Sequence, residues 1–473
     1  MTTKGTSGNG CATAQEIAAA VGKGEASARG IIAHALNRAE TIKSLNAFTL
    51  IDRQGALEAA ERLDTELRAR PGTSKPLAGV PVAIKDFTPT AGHLCTRGSW
   101  TTGNWVPNRD AVLVQRLKRA GAIVIGKTAT PEFAYSSFTQ SVRWGITRNA
   151  HDPSRTPGGS SGGSATAVAT RCVPLAEGTD MGGSVRIPAA LSGVVGMKPS
   201  LGRIPMDILP SGPDNLSHFG PLAACVDDAA LFLSVAQGPH ESDVLSQPAP
   251  TPIETPLAPV PAGTRVAFSR DLGYYAIDPE VERQVHAAIA GLRDQGIIVE
   301  EVSLDWTSAI NDNWVKLWAV ALATAWGDTV ATHREHMDPD VVGLIDWGLD
   351  CNAVTYRHLE QIRDQVWRDL TRLFETYSAL LTPTCALPAP PVTHRDSDYE
   401  QTDSSGRFQG LDLTCPFNLV GQCPAVSVPI GKAHNLPAGL QIVASGHQDG
   451  FALQMAKAVE TVCPPPGAVT PSF

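Results

Sequence analysis

Residues 158–190 read GGSSGGSATAVATRCVPLAEGTDMGGSVRIPAA, and how these two glycine–serine clusters meet decides both fold and chemistry. The first cluster, Gly158–Ser164, runs into the small-residue stretch Ala165–Ala169, and the second, Gly178–Arg186, into Ile187-Pro188-Ala189-Ala190. Ser160 and Ser184 stand 24 residues apart, room for a tight helix, a strand and a return. Small side chains from Ser164 to Ala169 let that helix approach closely and bring the two glycine loops together. Glycine clusters permit unusual backbone angles and close approach to a ligand. They also leave several N–H groups converging on one point, as a developing oxyanion requires.

On either side, short apolar runs alternate with amphipathic stretches. Val80–Ile84, Ala122–Ile125 and Val173–Ala176 read as strands, and Ala111–Ala120 as a helix. Residues 14–70 read as helices, with Ile17, Ala20 and Val21, then Ile31, Ile32, Ala35 and Leu36, at helical spacing. Leu57–Leu67 repeats the pattern with Glu61 and Arg62 on its polar side, and Arg70-Pro71-Gly72 ends it. Strands alternating with helices imply a layered α/β domain rather than separate bundles. Residues 247–263 read QPAPTPIETPLAPVPAG, too proline-rich for a helix or an inner strand and therefore an extended surface connection. Beyond it, Arg265–Ser269 resembles a strand and Pro279–Asp294 an amphipathic helix. The helical stretch Trp306–Tyr377 holds Trp306, Trp314, Trp318, Trp326, Trp347 and Trp367. These indoles either pack helices together or wall an apolar substrate pocket.

Composition narrows the class. With 42% hydrophobic and 18% charged residues, the chain has ample material for a large core. A net charge of −9 argues against general affinity for nucleic acid or acidic lipid. The nine cysteines are scattered and none forms a CxxC pair, so neither a zinc site nor a disulfide framework is indicated, and a reducing, cytoplasmic location is expected. Met1–Gly10 is polar and Gly-rich, unlike a secretory signal. No stretch approaches the roughly 18 unbroken apolar residues of a membrane helix.

Other motifs compete for the chemistry. Gly121-Ala-Ile-Val-Ile-Gly126-Lys127-Thr128 matches the phosphate-loop pattern GxxxxGK[ST]. Its intervening residues read as a buried strand rather than a loop, and Pro131 follows where the pattern needs a long helix. Gly158-Gly159-Ser160-Ser161-Gly162 satisfies the GxSxG elbow, which needs a strand immediately before it; the preceding Asp152–Pro157 is turn-rich instead. His333 and His336 have the wrong spacing for a helical zinc pair and suit a solvated face.

Together with Gly79-Val-Pro-Val-Ala-Ile-Lys85-Asp86, the two clusters resemble the amidase signature family, whose catalytic group is a Ser–cis-Ser–Lys triad. The resemblance extends through Leu45–Phe48, Gly126–Thr128, Pro131–Phe133, Gly196–Pro199, Phe219–Leu222, Thr382–Thr384, Pro416–Asn418, Val428-Pro429 and Gly439–Gln441. It implies a single large α/β/α domain whose mixed, twisted sheet is covered by helices on both faces. On that reading residues 1–70 are a helical segment packed on the core and 71–240 the signature core. Residues 241–264 are the Pro-rich connection. Residues 265–473 complete the domain, with the substrate-pocket region at about 306–377. Only residues 240–375 lack landmarks.

The resemblance implies Ser184 as nucleophile, Ser160 as the serine after the cis peptide, and Lys85 as base. A serine hydroxyl needs a base within hydrogen-bond reach, and a lysine serves as one only when burial lowers its pKa of about 10.4. Lys85 ends the apolar run Val80–Ile84, which suits such burial; the alternative is a surface pair with Asp86. By resemblance, the N–H groups of Met181, Gly182, Gly183 and Ser184 form the oxyanion hole. Ser161 supports the loop, and Asp180 and Arg186 form a partly buried architectural pair. No metal or cofactor is implied. The expected partner is a small-molecule amide or carbamate, with no nucleic acid or membrane, and a homodimer is compatible with the family. A glutaminase subunit of a tRNA-dependent amidotransferase is the rival. Its signature resembles GGSxRQPA, whereas here Ile187 replaces the glutamine. The stretch 202–211, GRIPMDILPS, and the tryptophan-rich helices point to an apolar acyl or aryl pocket for aryl or alkyl amides, carbamates or lactams.

Overall fold

The apolar run that ends at Lys85 lies at the heart of a computed structural model that describes residues 12–70, 72–73, 75–209 and 214–470. Met1–Gly10, Pro71 and Pro210-Ser211 lie outside the described residues. The strands are β1 (Phe48–Ile51), β2 (Pro81–Lys85), β3 (Ile123–Thr128), β4 (Gln140–Ser141), β5 (Gly145–Ile146), β6 (Leu175–Asp180), β7 (Val195–Lys198), β8 (His218–Ala223), β9 (Arg265–Phe268), β10 (Ile298–Glu301), β11 (Ala379–Pro383), β12 (Ala425–Ala433) and β13 (Leu436–Ala444). Eleven of them form one sheet in the order β1-β3-β2-β6-β8-β7-β12-β13-β11-β9-β10, while β4 and β5 form a separate two-stranded ribbon. The sheet is mixed. β2 lies parallel to β3 and β6, β9 parallel to β10 and β11, and β6, β8, β7, β12 and β13 run antiparallel to their successive neighbours.

Helices cover both faces. The short helices Gly162–Ala169 and Arg186–Ser192 pack together, the first over β2 and β6 and the second over β7, β12 and β13. Helices Val226–Ala236, Pro279–Asp294 and Asp449–Val462 cover the opposite face. Glycine allows the closest contacts on the first face. A Cβ on Gly163 would fall 2.4 Å from the Ala129 nitrogen, and one on Gly196 would fall 2.6 Å from Ala189 Cβ. The sheet strands beneath are buried end to end in β2, β3, β6, β8 and β13.

One expectation needs correction. Residues 14–70 are not wholly helical, because β1 pairs antiparallel with β3 along one edge of the sheet. Its four residues, FTLI, are too few to show period-2 alternation between two helices. The phosphate-loop match, by contrast, is the buried strand its apolar residues predict. All of Ile123–Thr128 is buried strand, and a Cβ at Gly126 would lie 2.1 Å from the Leu50 carbonyl oxygen, so Gly126 permits the approach of β1. Lys127 donates to the Thr88 carbonyl and, at 3.2 Å, to Thr90 Oγ1. No nucleotide cradle exists there.

The tryptophan-rich region folds as three helices, Ala309–His333, Pro339–Asp350 and Ala353–Phe374. Its indoles divide between both roles. Trp306 is buried among core side chains, Trp318 and Trp326 are buried yet line a cavity, and Trp367 is 41% exposed. His333 and His336 are solvent-exposed. Among the described residues no helix is long and apolar enough to cross a membrane.

Candidate active site

β2 delivers Lys85 into the interior at its carboxyl end, and the residue has no solvent exposure. Its Nζ lies 2.6 Å from Ser160 Oγ and 2.9 Å from Thr179 Oγ1. The surface pair with Asp86 does not form. The Asp86 carboxylate instead accepts the N–H and hydroxyl of Thr96. Desolvation pulls the Lys85 amine down from its ordinary 10.5 to about 7, against the opposing charges of Glu177 and Asp180. Near neutral pH the amine therefore has a substantial uncharged population able to accept a proton.

Strand periodicity supplies the residues around Lys85. Glu177 and Thr179 are two apart on β6 and share a face. Glu177 Oε2 accepts the Lys85 N–H at 2.9 Å, and Glu177 Oε1 accepts the Thr88 hydroxyl at 2.9 Å. Neither residue was singled out from sequence, although alternation along β6 was the available signal once Lys85 was placed on the neighbouring strand.

The two glycine–serine clusters meet as the spacing requires. The Gly159–Ser160 peptide is cis, and the Ser161 N–H donates to the Ser184 carbonyl at 3.2 Å. Ser161 Oγ reaches the Thr179 carbonyl at 3.4 Å. Ser184 is half-buried, and it borders the same cavity as Ser160. Among the described residues the Ser184 hydroxyl makes no hydrogen bond. Lys85 and Ser160 are thus hydrogen-bonded, whereas among the described residues no hydrogen bond joins Ser160 to Ser184.

The Asp180–Arg186 pair is fully buried rather than partly so, with both side chains inaccessible. Arg186 Nε donates to Asp180 Oδ2 at 3.0 Å and Nη2 to Oδ1 at 2.8 Å. Its remaining donors reach Gln441 Oε1 at 2.6 Å, the Thr414 carbonyl at 3.0 Å and Asn418 Oδ1 at 2.5 Å. Burial alone would raise the Asp180 carboxyl, but the Arg186 charge and hydrogen bonds, with Asn418, hold it well below the usual carboxylate range. Asn418 and Gln441, from the carboxy-terminal part of the chain, thereby become partners of the turn that carries Ser184.

Asp180 also corrects the four-donor oxyanion hole. Its Oδ1 accepts the Gly183 N–H at 2.9 Å, and Oδ2 accepts the Val185 N–H at 3.2 Å. Gly183 is thereby committed to shaping the turn, which its φ of 132° demands of a glycine. Among the described residues the N–H groups of Met181, Gly182 and Ser184 make no hydrogen bond, which leaves three donors. Trp314 Nε1 donates to the Met181 carbonyl at 2.9 Å, and a Cβ on Gly182 would lie 2.1 Å from Trp314 Cζ2.

The cavity before Ser160 and Ser184 has a volume of about 390 Å³, with Phe87, Phe133, Met181, Leu317, Trp318 and Trp326 in its walls. Phe133 and Trp326 stack at 4.3 Å between centroids, which fixes one wall. Among the described residues no group of three or more His, Cys, Asp or Glu side chains could hold a metal ion.

A family model described as Amidase matches residues 30–453. The chain belongs to the amidase signature family. Its members are hydrolases of carbon–nitrogen bonds, and this chain is an enzyme of that class. A glutamyl-tRNA(Gln) amidotransferase subunit from Symbiobacterium thermophilum is 36% identical over 465 residues, 93% of this chain and 94% of that protein. An acylamidase of Rhodococcus erythropolis is 33% identical over 460 residues, 96% of this chain and 95% of the relative. The solved structure of a bacterial aryl acylamidase superposes with a TM-score of 0.89 over 96% of each chain at 24% identity, which shows the shared fold.

Proposed function

We propose that this amidase hydrolyses aryl or alkyl amides through an acyl-enzyme on Ser184, with Ser160 and Lys85 relaying protons. The observation that carries the reading is the 2.6 Å approach of Lys85 Nζ to Ser160 Oγ in a fully buried setting. Uncharged Lys85 accepts the Ser160 hydroxyl proton while Ser160 accepts that of Ser184. Ser184 Oγ bonds to the carbonyl carbon, and the oxygen's new charge is met by the N–H groups of Met181, Gly182 and Ser184, each worth about 3 kcal/mol by the precedent of single-donor deletions. When the C–N bond breaks, the nitrogen takes a proton from Ser160, which Lys85 replenishes. Water then attacks the ester by the same relay, and the carboxylic acid leaves.

The apolar cavity beside Ser184 supports an aryl or alkyl substrate over a small polar one, in line with the acylamidase relative. Carbamates and lactams share the same electrophilic carbonyl and extend the proposed range. A second reading, the glutaminase role named for the amidotransferase subunits, is favoured by their 36% identity. Ile187 in place of the glutamine of their signature, and the aromatic walls, weigh against it. Labelling with a serine-directed fluorophosphonate, mapped by mass spectrometry, together with an anilide, carbamate and glutamine panel, tests the proposal. Modification at Ser184 with anilide turnover is expected; turnover confined to glutamine overturns the substrate assignment, and failure to modify Ser184 overturns the nucleophile.

A further inference from the structure

Two chambers open onto Ser184. The first is the 390 Å³ aromatic cavity, which Ser160 also borders. The second, about 530 Å³, lies on the other side of Met181 and Trp318 and is bordered by Trp314. Both chambers have aromatic walls, the second including Tyr135, Trp347 and Phe408. They differ in charge: the second sets Asp312, Asp396, Glu400 and Asp412 against Lys316, whereas the first sets Asp214 and Glu360 against Arg363, its Asp180 being paired with Arg186. Ser184 borders both chambers, whereas Ser160 borders the first alone.

That asymmetry orients the substrate. An amine departs only if its nitrogen is protonated as the C–N bond breaks, and the donor must lie within hydrogen-bond reach of that nitrogen. Ser160 is the donor in the relay proposed above, and Thr179, the other hydroxyl bonded to Lys85, borders the same chamber and not the second. The nitrogen and whatever it carries must therefore sit on Ser160's side, and the acyl substituent is directed to the other. An acyl carboxylate would meet several like charges there, which disfavours its binding.

We infer that the aromatic chamber beside Ser160 holds the amine half of the substrate and the acidic chamber beyond Met181 the acyl half, so that the site takes amides of aromatic or other apolar amines whose acyl group is neutral or cationic rather than anionic. This rests on the amide-hydrolase reading above and adds its polarity. It also disfavours glutamine, whose departing ammonia would leave the chamber beside Ser160 unfilled.

Charge reversal on the exposed helix surface of the second chamber tests the assignment. Asp312→Lys and Lys316→Glu are compared with the unaltered enzyme on two substrate pairs. One pair differs in acyl charge (succinanilic acid against γ-aminobutyranilide); the other differs in amine charge (para-acetamidobenzoate against para-(aminomethyl)acetanilide). Asp312→Lys is expected to move the kcat/KM ratio of the first pair about tenfold towards the anionic acyl group, and Lys316→Glu to move it the other way. Both should leave the second pair within about twofold. A shift in the second pair instead of the first reverses the assignment and overturns it, as does no shift in either by variants of unchanged melting temperature. If the unaltered enzyme is modified at Ser184 but hydrolyses none of the four amides, the amide-hydrolase reading itself has failed and the polarity falls with it.

Discussion

In the proposed relay, burial of Lys85 sets the pH at which the enzyme works. An ordinary lysine, at about 10.4, is uncharged in only about one molecule in a few thousand at pH 7. Held at about 7 by desolvation, Lys85 is uncharged in about half, so its position enlarges the population of competent base by about a thousandfold. Because the folded pKa is depressed, competence is gained as pH rises. The bimolecular rate of fluorophosphonate labelling at Ser184 should climb about tenfold per unit below pH 7 and level off above about pH 8. Lys85→Arg, which cannot lose its proton, should lower the rate at least a hundredfold, in the range of about 10² to 10⁴ for loss of general-base catalysis. The same displacement has a stability sign. Between about pH 7 and 10.5 the unfolded chain binds a proton that the native protein does not, so this group's contribution favours folding increasingly as pH rises through that window. A labelling rate that keeps climbing to pH 10, or one untouched by Lys85→Arg, would refute the assignment of Lys85 as base.

Arg186→Met strands the Asp180 carboxylate in a site with no solvent access; unfolding in denaturant should show a loss of about 3 to 5 kcal/mol. Gly182→Ala forces Trp314 aside, since the new Cβ would lie 2.1 Å from its ring. Displacing that turn should lower kcat about a hundredfold, as loss of an oxyanion donor does, and calorimetry should find the melting temperature lowered by a few degrees from the overpacking.

Much of this protein follows from sequence through local rules. The spacing of Ser160 and Ser184, the small residues between them and the apolar run into Lys85 fixed a helix, a strand and a buried amine, because residue size and hydrophobic period act over short distances. The clash between GAIVIGKT as strand and as phosphate loop was also decidable locally, since four apolar residues in a row do not form a solvated loop. What required the tertiary structure was every contact made across the sheet. Four residues at 48–51 carry too little pattern to announce an edge strand, and only pairing with β3 makes them one. Likewise Gly183 looks like an oxyanion donor until the folded turn gives its N–H to Asp180. Glu177 and Thr179 touch Lys85 only because β6 lies beside β2, and Arg186 finds Asn418 and Gln441 more than two hundred residues away. The division of the space over Ser184 into two chambers depends on where a long helix lays Trp314 and Trp318, and no periodicity encodes the direction from which a helix approaches a sheet.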